Sequence, residues 1–127
     1  MSDIKQVIVM RNDLGMRKGK MIAQGAHASM AFLTRRMKAK KGKAKLALSP
    51  AEVEWLESSF AKVCVRVNSE EELIEIMHRA GEAGLEVHLI TDSGRTEFHG
   101  VATNTCLAIG PDYSDKIDPI TGELKLL

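Results

Sequence analysis

The order of apolar and polar positions predicts alternating strands and helices. Lys5 to Met10 is a nearly unbroken apolar run rich in β-branched residues, the pattern of a short, fully buried strand. A glycine-punctuated turn follows, Gly15-Met16-Arg17-Lys18-Gly19, and then helical spacing over about Gly19 to Met37. On that helix Ile22, Ala26, Met30, Leu33 and Met37 form an apolar stripe expected to face the core. Ser49-Pro50-Ala51-Glu52 has the form of a capping box, opening a helix to about Ser59 with Trp55 as a core anchor. Ala61 to Val67 alternates as a strand. Asn68-Ser69 caps a helix carrying Leu73, Ile76, Met77 and Ala80, stopped at Gly84. Leu85 to Thr91 and Thr103 to Ile109 are the last strands, the second expected to stop at Gly110-Pro111, with a helical turn at Ser114 to Ile117.

The order β-α-α-β-α-β-β predicts a single α/β domain over residues 1–127, with a mixed four-stranded sheet flanked by helices on both faces. Sites in such sheets form at the carboxyl ends of strands. Two polar turns qualify: the one leading to Lys20, and Asp92-Ser93-Gly94-Arg95-Thr96 after the third strand. They converge on one site if the first and third strands lie close. Lys20, Gln24 and His27 fall at about 0°, 40° and −20° on the helical wheel, so they share a face. A row of this kind is as readily a solvated surface as a platform for a ligand. The basic turn before it favours an anion, because the helix start offers free N–H groups and Arg17, Lys18 and Lys20 add charge. It is not a nucleotide-binding P-loop: the glycine spacing is one residue short, and Met21 stands where a magnesium-holding hydroxyl belongs.

Charge sharpens this picture. Residues 1–48 hold twelve Lys/Arg against two Asp, and residues 49–127 hold six against fifteen Asp/Glu, although the net charge is only +1. Such polarisation suggests a polyanion on one side, with nucleic acid the usual candidate. The tract Lys38 to Lys45, five lysines in eight residues, reads as a partly mobile basic loop. With one Trp, one Tyr and three Phe, base stacking is a poor main mode of binding and phosphate contacts a better one. The N-terminus lacks the apolar segment of an export signal and no run suits a bilayer, so a cytoplasmic location is expected. Cys64 and Cys106 are expected as buried free thiols.

The segments DLGMRKGKMIAQGAHA (13–28), SEEELIEIMHRAGEAGLEVHLITDSGRTE (69–97), CLAIGP (106–111) and ITGELKLL (120–127) resemble the type II peptidyl-tRNA hydrolases over nearly the whole chain. That resemblance implies a mixed four-stranded sheet with helices, commonly as a homodimer. It also implies hydrolysis of the ester joining a peptide to the 3′ end of tRNA, with no metal or organic cofactor. The family's active-site lysine, glutamine and histidine fall on Lys20, Gln24 and His27, and its aspartate and threonine on Asp92 and Thr96. Three departures stand out: Arg17 for the usual glycine, Gly25 for a small apolar residue or cysteine, and a loop Phe98 to Thr103 about one residue longer that lacks the usual Pro-Gly.

Ester hydrolysis requires an oriented water and positive charge where the oxyanion develops. The expected roles follow: Asp92 and Thr96 hold or activate water, Lys20 stabilises the oxyanion or the terminal ribose-phosphate, and Gln24 and His27 orient the substrate, with His27 as an alternative base. Arg17 and Lys18 are expected to contact tRNA phosphates, with Arg35, Arg36 and the lysine tract acting at longer range. A covalent serine route lacks a Gly-x-Ser-x-Gly elbow, and His27, His78, His88 and His99 show no metal-ligand spacing. The alternatives are a silent relative that binds tRNA or a protein, and a hydrolase of another acylated tRNA.

Overall fold

In the computed structural model, which describes residues 3–95 and 97–127, the first apolar run is β1 (Ile4–Arg11). Its side chains are buried on both faces except at Lys5. The order along the chain is β1, α1 (Lys18–Thr34), β2 (Lys38–Lys40), β3 (Lys43–Lys45), α2 (Pro50–Glu57), β4 (Lys62–Val67), α3 (Glu70–Glu82), β5 (Val87–Asp92), β6 (Thr103–Tyr113) and α4 (Ser114–Thr121). The main sheet has the order β4-β1-β6-β5. Strand β1 is parallel to β4, and β6 is antiparallel to both β1 and β5. The carboxyl ends of β1 and β5 therefore lie at the same edge although β6 separates them. The mixed four-stranded sheet with helices on both sides is the architecture expected from the sequence.

Alternation along β1 divides the core. Val7 and Val9 join Val65, Val67, Leu107 and Ile109 under α3 and α4, packed by Leu73, Ile76, Ala80 and Ile117. Ile8 and Met10 join Cys106, Ala108 and Ile90 under α1. Ile4 continues that second face to Phe32 and Trp55. Gln6 is buried there too, and its amide is satisfied by Ser29: Nε2 donates to the Ser29 carbonyl at 2.9 Å and Oε1 accepts from Oγ at 2.5 Å. The Trp55 indole N–H donates to the Ala61 carbonyl at 2.8 Å, so the anchor expected from sequence is buried and satisfied.

The structure corrects the expected orientation of α1. The face packed on the sheet carries Gln24, Ala28, Ala31 and Phe32, whereas Ile22 and Met30 are 73% and 55% exposed and Met37 is exposed as well. Small residues explain the choice. Ala28 and Ala31 let the helix approach the sheet closely, and a Cβ on Gly25 would already reach the Met10 side chain at 3.9 Å. Ile22 and Met30 are left outward.

Other boundaries shift for local reasons. Helix α1 ends at Thr34, and the basic tract is not a loop but the hairpin β2–β3. Strand β6 runs through Gly110-Pro111 because the β1–β6 register slips between Lys5 and Val7, so proline's missing N–H costs no ladder bond. Cys106 is buried as expected and its thiol is pushed up to about 11 by burial, but Cys64 is exposed. The Ser49/Glu52 capping box is present, and Glu52 also receives a two-pronged ion pair from Arg36 at 2.7 and 3.0 Å. Burial raises the Glu52 carboxyl, but Arg36 and the Ser49 N–H outweigh it and hold it below its ordinary value.

Candidate active site

The Lys/Gln row of α1 meets the end of β5. Lys20 lies in the first turn of α1, directed along the sheet's carboxyl edge, and its Nζ donates to Asp92 Oδ1 at 2.8 Å. Gln24, one turn on, donates from Nε2 to the same oxygen at 3.3 Å. The other oxygen, Oδ2, accepts the Gly94 backbone N–H at 2.8 Å. The Lys20 and Asp92 side chains are only 14% and 12% exposed, so the pair is screened less than a fully exposed one. The hydrogen bond from Lys20, reinforced by Gly94 and Gln24, holds the Asp92 carboxyl below the ordinary aspartate range despite the opposing effect of burial.

Two further residues build the site, and sequence reasoning missed both. Thr105 is the unpaired residue of a bulge, since Ile90 pairs with Cys106 but Thr91 with Asn104. Bulges re-aim side chains beside sites. Here the Thr105 hydroxyl is fully buried and donates to Gln24 Oε1 at 2.5 Å. That bond sets which way the Gln24 amide faces and so presents its NH₂ to Asp92. The signal in the sequence was a hydroxyl directly preceding the continuous apolar run Cys106-Leu107-Ala108-Ile109. Gly94 is the second. It has φ +83 and is buried, with its N–H on Asp92 and its carbonyl accepting from Gly100 N at 3.0 Å.

The loop after it is tightly wound. Phe98 and His99 both lie in the left-handed region, at φ 63 and 52, and the Phe98 ring stands 5.9 Å from Lys20 Nζ. Such a ring contributes weak cation–π attraction and walls one side of the lysine.

His27 is exposed and its side chain makes no hydrogen bond among the described residues, so it stands at the rim of the Lys20–Asp92–Gln24 cluster and not in it. Thr96 lies outside the described residues. Arg17 is the N-cap of α1 without a side-chain cap, and Arg17 and Lys18 are both exposed beside the site. Arg35 donates to the Leu89 carbonyl at 2.8 Å and approaches His88. Arg36 is committed to Glu52, Glu86 and the Ala47 carbonyl, where it joins the end of α1 to the start of α2. Among the described residues no group of three or more His, Cys, Asp or Glu could hold a metal ion, and no helix is long and apolar enough to cross a membrane.

Fold and candidate site together give an α/β domain with a carboxylate, an ammonium and an amide gathered at the carboxyl edge of a mixed sheet, beside an exposed basic helix start. The family model described as peptidyl-tRNA hydrolase PTH2 matches residues 4–127. A peptidyl-tRNA hydrolase of Methanocaldococcus jannaschii is 48% identical over 126 residues, covering 98% of this chain and all of the relative. One from Methanothermobacter thermautotrophicus is 44% identical over 124 residues, covering 98% and 100%. A solved Agrobacterium protein of unknown function shares the fold, with TM-score 0.59 and 17% identity over 100% of this chain and 99% of that one. The chain belongs to the PTH2 family of peptidyl-tRNA hydrolases.

Proposed function

We propose that this chain hydrolyses the ester between a peptide, or an N-blocked amino acid, and the 3′ end of tRNA, recycling tRNA released from stalled translation in the cytoplasm. The observation that carries the reading is the Lys20–Asp92–Gln24 cluster at the strand ends, in a chain of this family. Asp92 is a weak proton acceptor because its carboxyl is held low. Its part is to orient water and fix Lys20 more than to strip a proton. Lys20 offers its N–H groups to the oxyanion, and Gln24, locked by Thr105, orients the acyl end. Thr96 is carried into the reading by the resemblance as a second water-holding group. His27 touches the substrate from the rim, and Arg17 and Lys18 bind phosphate near the 3′ end, with Arg35 beyond them. Arg36, tied up by two carboxylates, adds field more than contact.

Single-turnover hydrolysis of an N-acetylaminoacyl-tRNA against the unblocked aminoacyl-tRNA tests this. Fast cleavage confined to the blocked ester is the expected result. Tight tRNA binding with neither ester cleaved would replace the hydrolase by a binding module, and cleavage of the unblocked ester alone would redirect it to another acylated tRNA.

The same proposal includes a homodimer. The outward α1 residues Ile22, Ala26 and Met30 line a groove of about 490 Å³ with Phe60, Cys64 and Leu127. An apolar face of this kind, beside edge strand β4, suits a second copy of the chain. Light scattering of the Ile22→Asp, Met30→Asp double variant is expected to give a monomer where the wild type is a dimer. A monomeric wild type would remove the dimer without touching the active site.

A further inference from the structure

The hairpin β2–β3 gathers the lysine tract into an exposed two-stranded ribbon. Its turn, Lys41-Gly42, has positive φ at both residues (53 and 75), the pattern of the tight two-residue turn that matches strand twist. Lys38 pairs with Lys45, Ala39 with Ala44 and Lys40 with Lys43. Directly paired residues point the same way, as do residues two apart on one strand. Lys38, Lys40, Lys43 and Lys45 therefore share one face, with the two alanines on the other. Every hairpin residue is exposed, and none of the four lysines forms an ion pair among the described residues. Like charges placed opposite each other repel, and a lone two-stranded hairpin is marginal. The arrangement gains from an external row of negative charge.

We infer that this four-lysine face grips the phosphate backbone of the duplex stem of the tRNA, apart from the site that holds its 3′ end. The lysines stand about 5 Å apart across the ribbon and ~7 Å apart along it, the scale on which phosphates follow one another along a strand. Separation supports the assignment. Helix α1 carries the chain roughly 20 Å from Lys20 before the hairpin begins, room for the unpaired 3′ nucleotides between the ester and the duplex. Duplex RNA is bound chiefly through shape and backbone, which asks for point charges and no stacking rings. The inference rests on the tRNA reading above.

The test is the variant carrying Lys38→Gln, Lys40→Gln, Lys43→Gln and Lys45→Gln, beside its Lys→Arg counterpart, with far-UV dichroism confirming the fold. Titration with deacylated tRNA is expected to show affinity lowered ~10-fold or more at moderate salt, and the slope of log Kd on log salt reduced by about 3. The Arg variant keeps both. Hydrolysis of an N-acetylaminoacyl ester on the 3′-terminal trinucleotide is expected to stay at the wild-type rate, while KM for the full tRNA ester rises with kcat unchanged. Unaltered tRNA affinity and salt slope would overturn the inference. So would an equal loss on the trinucleotide ester, or a larger loss of binding to anionic vesicles than to tRNA. A wild type that cleaves neither ester would defeat the hydrolase reading alone, since the titration still decides the hairpin.

Discussion

Asp92→Asn and Lys20→Ala are each expected to slow single-turnover cleavage of the blocked ester by about 10²–10³-fold, or roughly 3–4 kcal/mol of transition-state stabilisation. The Asn variant keeps the shape of Asp92 and removes its charge, so Lys20 loses the ionic attraction that holds it at 2.8 Å from that side chain. Since the two act as one unit, the double variant is expected to be little worse than either single one. Losses that multiply would mean independent roles. The pH profile gives a second check. The folded-state pKa of Asp92 is depressed, so the ion pair's contribution is complete above the unfolded aspartate value of about 3.9 and is lost only as pH falls through the lower folded value. Asp92 is therefore expected to leave no acid limb at pH 5–6. Such a limb, absent from Asp92→Asn, would show that Lys20 does not hold the carboxylate in solution.

Gly94→Ala is expected to cost about 10²-fold in rate, although it adds a single methyl group. The new Cβ would lie 2.3 Å from the Val101 carbonyl oxygen and 2.7 Å from Val101 N and C. These are backbone atoms that cannot swing aside, and φ +83 is strained for alanine besides. Relief requires moving the loop that carries the N–H on Asp92 Oδ2, and small displacements of catalytic groups are expensive in rate. A stability loss of about 1–3 kcal/mol should accompany it. Gly100→Ala is the control: its φ is +77, but nothing lies within 4 Å of an added Cβ, so it carries strain without collision. Equal effects of the two substitutions on rate would show that the Gly94–Val101 contact does not organise the site.

How these residues meet divides between sequence and fold. Periodicity and capping chemistry determine the elements: the β-branched run of β1, the Ser49/Glu52 box and the glycine stop after α3 are local, and local propensity suffices to specify them. The row Lys20, Gln24, His27 and the turn at Asp92 were legible for the same reason, since a helix and a strand end fix their own side-chain directions. The inward face of α1 was not legible. Both of its sides carry apolar residues, and the choice depended on how closely Ala28 and Ala31 could approach a sheet the helix itself does not encode. Thr105 required the β5–β6 register, and Gly94 required the path of Val101, because both are relations between segments distant in sequence or folded back in a loop. Of the row, only Lys20 and Gln24 reach Asp92, and His27 stays at the rim, a distinction of distance that spacing on one helix cannot make. The lysine tract shows the same limit: its charge is plain in the chain, but only cross-strand pairing puts four of its lysines on one face. Sequence determines what each segment is and which groups it carries, whereas packing between segments decides which of those groups meet.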